Sequence, residues 1–63
     1  MNEMTEATSA QWAMLQYWTL NTPKISAKEL VSNFVRRFGV KEGVAWIIVT
    51  RFRNQKHSDQ HGG

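Results

Sequence analysis

The chain reads as all-α, a three-helix bundle in one domain over residues 1–63, with polar stretches at both ends. Three observations lead there. Two S/T-x-x-Q/E capping boxes occur, Thr8-Ser9-Ala10-Gln11 and Ser26-Ala27-Lys28-Glu29, each opening an apolar run. Apolar residues then recur every three to four positions. A glycine, Gly39, falls where the second run ends and a third begins.

Size narrows how such a bundle can be held. A chain of 63 residues buries only about 60% of its unfolded surface, and with no cysteine it has neither disulfides nor thiolate metal sites. Stability must therefore come from packing, which the three Trp, three Phe and three Met can supply. No apolar run approaches the roughly 20 residues that span a bilayer, so no membrane association is expected. Met1 to Met4 lacks the basic and apolar blocks of a signal peptide, and a cytoplasmic protein is the expectation.

Residues 1–7 are polar and without an apolar period, and read as a flexible arm. Helix one follows from the Thr8 cap. Trp12, Leu15 and Trp18 drift around one side, and Met14 and Tyr17 widen the apolar sector, so the helix is either buried on more than one side or partly exposed for a partner. Asn21-Thr22-Pro23 ends it, because Pro23 disfavours helical geometry at Thr22 and Asn21 tolerates a left-handed turn.

Helix two starts from Ser26. Ile25 and Leu30 have the spacing of a hydrophobic staple. Leu30, Val31, Phe34, Val35 and Phe38 make one stripe, with Lys28, Glu29, Ser32, Asn33, Arg36 and Arg37 on the other side. Gly39 terminates it, since a left-handed residue costs glycine least.

Helix three is expected from Lys41 to Asn54. Val44, Ala45, Ile48, Val49 and Phe52 fall within a sector of about 140° at 100° per residue, facing the core. Gly43, Trp46, Ile47, Thr50, Arg53 and Asn54 face outward. The β-branched run Ile47 to Thr50 also suits a short buried strand, but the cap and the period favour helix. The core thus spans 8–54, and residues 55–63, polar and ending in Gly62-Gly63, are expected to be disordered.

The stretch Ile25-Ser26-Ala27-Lys28-Glu29-Leu30, followed by Phe38-Gly39-Val40-Lys41-Glu42-Gly43-Val44-Ala45-Trp46, resembles the helix-turn-helix of winged-helix DNA-binding regulators. The first part looks like their I-S-A-K-E-L opening and the second is similar to their F-G-V-S-x-x-T-V turn. The resemblance covers residues 25–53. No pair of strands follows Arg53, so no wing is expected, and helix two is about one turn longer than such regulators carry. In such families the helix after the turn lies in the major groove. What the resemblance implies is a small DNA-binding protein, a transcriptional regulator or a phage or mobile-element accessory factor, with double-stranded DNA as partner. Lys41, Trp46, Thr50 and Arg53 would meet bases, and Arg36, Arg37, Arg51 and Lys56 would hold phosphates.

The charge distribution is compatible with this. All eight basic residues lie in 22–63, against Glu29, Glu42 and Asp59. The same cations also satisfy helix ends or keep a small apolar protein dissolved. Trp46 and Ile47 stand where such regulators place Arg, Ser, Thr, Asn or Gln, and this carries a second reading. The domain would then be a small inhibitor or adaptor docking on a larger protein through Trp46, Ile47 and Arg53. Helix one or a second copy of the chain, a homodimer, would also cover these residues.

No catalytic set is found. A Ser or Thr nucleophile would need a His base, and His57 and His61 both lie in the polar tail. The few carboxylates are scattered, and no glycine-rich phosphate loop occurs. His57 and His61, four apart around Asp59, have no third ligand and read as solvated rather than metal-binding. Neither an enzyme nor a cofactor is expected.

Overall fold

A computed structural model describes the backbone of residues 6–62 and the side chains of residues 6–55. Its elements are three helices: α1 (Ser9–Asn21), α2 (Ala27–Phe38) and α3 (Glu42–Gly62). The chain is an all-α three-helix bundle, with no strand among the described residues; Ile47 to Thr50 are helical.

Both capping boxes close. The Thr8 hydroxyl accepts from the Gln11 N–H at 3.1 Å and the Gln11 Oε1 accepts from the Thr8 N–H at 3.0 Å. Ser26 and Glu29 repeat this reciprocal pair at 3.1 and 3.3 Å. Each box satisfies two of the amides that an α-helix start leaves unpaired. Ile25, one residue ahead of the second box, packs on the buried cluster that contains Leu30.

α1 ends differently from expectation. No residue other than glycine has a positive φ among the described ones, so Asn21 makes no left-handed turn. Its side-chain amide instead donates to the Tyr17 carbonyl at 2.9 Å. The Thr22 N–H closes on the Trp18 carbonyl, and the Ile25 N–H then bonds the Thr22 carbonyl, each at 2.9 Å, turning the chain across Pro23. Gly39 behaves as its position predicts: φ is 68°, and its N–H reaches the Val35 carbonyl at 2.8 Å. The Lys41 carbonyl accepts from the Ala45 N–H at 2.9 Å and opens α3.

The core consists of Leu15 from α1, Leu30, Val31 and Phe34 from α2, and Ala45, Ile48, Val49 and Phe52 from α3. α2 and α3 pack on each other most extensively, and α1 lies across both. Trp12 meets the Phe52 ring edge to face, centroids 5.4 Å apart at 84°, and Phe34 and Phe38 stack at a tilt, 4.9 Å apart. Val35, Phe38, Val40 and Val44 pack half-buried around this cluster.

At the C-terminal end α3 is longer than expected. Residues 55–63 were expected to be disordered, but α3 continues through Gly62. Between Gly43 and Gly62 the chain holds no glycine or proline, and polarity alone does not stop a helix. At the other end, residues 1–5 of the expected flexible arm lie outside the described residues, while Ala7 packs on the core.

Gly39 and Gly43 supply a paired test. A Cβ at either would meet nothing within 4 Å, but only Gly39 has a positive φ. Gly39→Ala should destabilise the domain by about 1–2 kcal/mol through left-handed strain. Gly43→Ala, within α3, should stabilise it by about 0.5 kcal/mol by restricting the unfolded chain. Urea denaturation of the two variants measures both signs.

Candidate nucleic-acid interface

The outward side of α3 is set by its core side. Ala45, Ile48, Val49 and Phe52 are buried, so at about 100° per residue the opposite direction falls among Gly43, Ile47, Thr50 and Asn54. Two ridges flank that line. One is Trp46, Thr50 and Arg53, and the other is Ile47, Arg51 and Asn54, each with the i, i+4, i+7 spacing that keeps side chains in one row.

The first ridge lies toward α2. Trp46 is 39% exposed and forms one wall of a groove completed by Lys28, Val31, Ser32, Val35, Arg36 and Glu42. Val31 is buried and Val35 half-buried, so the floor is apolar. Lys28 and Arg36 supply two cations against the carboxylate of Glu42. The Arg36 guanidinium donates from Nη2 to the Asn33 Oδ1 at 3.0 Å, which orients it along its own helix while it stays exposed. Lys41, at the turn, and Thr50 and Arg53, further along the ridge, are also exposed.

The second ridge lies toward the start of α1. Arg51 and Asn54 line a cleft with Glu6, Ala7, Trp12 and Gln55. Ile47, 41% exposed, belongs to this side. Trp46 and Ile47 are therefore adjacent in sequence and about 100° apart around the helix, one on each ridge.

Of the residues expected to meet DNA, the fold aligns Trp46, Thr50 and Arg53 along α3 with Arg36 across the groove, while Lys41 is exposed in the turn ahead of the helix. Arg37 is about 100° around α2 from Arg36, with its guanidinium carbon 5.3 Å from the Phe38 ring centroid, a cation–π contact. Arg51 belongs to the far ridge. Lys56 is in α3, but its side chain lies outside the described residues, as do those of His57, Asp59 and His61. In the protein-docking set, Trp46 and Arg53 share a ridge and Ile47 does not.

The sequence reading missed Lys28 as a groove residue by assigning it to the solvent side of α2. It precedes Val31 and Val35 by three and seven positions, the spacing of residues on one flank, and that signal would have found it. Of the two alternatives for α1, the structure shows partial exposure: Tyr17 is 57% and Leu20 75% exposed.

Among the described residues no helix is long and apolar enough to cross a membrane, and no group of three or more His, Cys, Asp or Glu is placed to hold a metal. Compared with protein-family models, curated proteins and solved structures, the chain matches none.

Trp46 and Trp12 should differ sharply when truncated. Trp12→Ala removes a ring packed on Phe52 and should cost about 3 kcal/mol, whereas Trp46→Ala, at the rim of a groove, should cost about 1 kcal/mol. Chemical denaturation followed by circular dichroism distinguishes the two.

Proposed function

We propose that this domain binds double-stranded DNA through α3, as a helix-turn-helix protein of the regulator or phage-accessory kind. The observation that carries this reading is the ridge Trp46–Thr50–Arg53, exposed on the helix that follows the turn, with Arg36 across the groove from Trp46 and Lys41 exposed in the turn itself. α3 rises about 1.5 Å per residue, so Trp46 and Arg53 are about 10 Å apart along it, a length that follows a major groove over roughly three base pairs. Thr50 and Arg53 bring hydrogen-bonding groups to base edges, with Trp46 in apolar contact. Lys28 and Arg36, across the groove from Trp46, are suited to the phosphate backbone beside a groove-bound helix. Arg51 and Lys56 add positive charge along the same helix.

A second reading is favoured by the α2–α3 groove itself. Its apolar floor of Val31 and Val35, the Trp46 wall and the Lys28 and Arg36 rim suit an amphipathic acidic segment of a larger protein. The two readings diverge in salt dependence and in what each needs from Thr50 and Arg53.

Fluorescence anisotropy of a labelled duplex measures the first reading. With about four phosphates engaged, log K should fall with log salt at a slope near −3.6, about a hundredfold loss between 50 and 200 mM. Arg36→Ala should reduce the slope by about one without changing sequence preference, and Thr50→Ala should relax preference at one position. An anisotropy that stays flat with every duplex at low salt rejects DNA binding. Retained capture of a protein partner, lost in Trp46→Ala but not in Thr50→Ala, would then establish the second reading.

A further inference from the structure

The face of α1 that points away from the bundle is a different surface from the α3 ridge. With Leu15 fully buried and Trp12 and Trp18 packed on the core, the opposite direction holds Ala10, Ala13, Tyr17 and Leu20, all exposed. Their spacing of three, four and three confines them to about 80° of the helix surface, and it is the a/d spacing of a helix–helix seam. Leu20 at 75% and Tyr17 at 57% exposure are the two most exposed large apolar side chains of the described residues. No Asp, Glu, Lys or Arg occurs from Ala7 to Pro23.

We propose that α1 is a self-association face on which two copies of this chain pack antiparallel through Ala10, Ala13, Tyr17 and Leu20. Two properties select a second copy. The first is size. In a two-fold interface the same residues face each other reciprocally, and an antiparallel register centred on residue 15 sets Ala10 against Leu20 and Ala13 against Tyr17. Each large side chain then meets a small one, so the seam fills without voids or clashes. A parallel pairing would put Tyr17 against Tyr17 and leave gaps at Ala10 and Ala13.

The second property is charge. A chain with a net charge of +3 repels its copy, and a face without formal charge is where two copies approach at least cost. The nearest charges are Glu6 before α1 and Lys24 after it, both exposed. Antiparallel packing brings the Glu6 end of one copy to the Lys24 end of the other, whereas parallel packing brings like ends together.

α1 is about 20 Å long, so the contact is smaller than the roughly 800 Å² per partner of a standard interface, and the dimer Kd is expected on the order of 10–100 μM. Sedimentation equilibrium of the full chain, without DNA, should show a monomer–dimer equilibrium below about 1 mM, and Leu20→Glu should raise Kd tenfold or more while the circular dichroism spectrum is kept. Because the chain has no cysteine, orientation can be read by cross-linking. Mixing Ala10→Cys with Leu20→Cys should give a disulfide-linked heterodimer under mild oxidation. Each variant alone should cross-link no more than Ser32→Cys, on the solvent side of α2. A monomer at every concentration overturns the proposal and leaves the face to another occupant. Unchanged dimerisation in Leu20→Glu, or preferential linkage of either cysteine variant to itself, overturns it as well. DNA binding is not involved in any of these readouts and stands or falls separately.

Discussion

The left-handed backbone at Gly39 is the constraint on which the arrangement of this domain depends. It ends α2 within one residue, and Val40 and Lys41 then carry the chain directly into α3. This short link brings α3 back against α2, so that Ala45, Ile48, Val49 and Phe52 share one buried cluster with Leu30, Val31 and Phe34. The buried side of α3 fixes its exposed side. The row of Trp46, Thr50 and Arg53 points outward because its neighbours in the helical period are held inward, and the groove beside Trp46 is the seam between the two helices where that closure stops short of the surface.

With no cross-link, the core has little redundancy. α1 contributes a single fully buried residue, Leu15, and otherwise covers the α2–α3 pair with the half-buried rings of Trp12 and Trp18. Large aromatic groups suit this role, since each covers much apolar area for one ordered side chain. The same economy leaves the reverse of α1 uncovered. A helix apolar on all sides serves one neighbour with one side, and in a bundle of three there is no fourth element to take the other.

Local features of this fold were legible in the sequence. The capping boxes at Thr8 and Ser26 and the stop at Gly39 each depend on residues within four positions, and all three formed as read. The core stripes of α2 and α3 were legible because those helices have one clearly polar side. Two features were not. The extent of α3 was misjudged because the residues after Asn54 are polar, which reports on burial rather than on helix formation. Which residues of α1 stay outside was left open because α1 has no charged side, so its period alone does not say which flank the other helices cover. At the candidate site, the period sets Trp46 and Ile47 on different ridges, and it assigns Lys28, which reads as solvent-facing, to the groove.

The two connections, Thr22 to Ser26 and Gly39 to Lys41, also fix a time scale. Each helix packs more on its neighbour in the chain than α1 does on α3, so most native contacts join residues close in sequence. Domains built this way fold in microseconds to milliseconds. The α2–turn–α3 hairpin, with the shorter link and the larger buried seam, is the unit able to form first, and α1 adds its cover afterwards. Perturbing the turn therefore acts on the rate of folding, and perturbing α1 acts on the rate at which the finished domain opens.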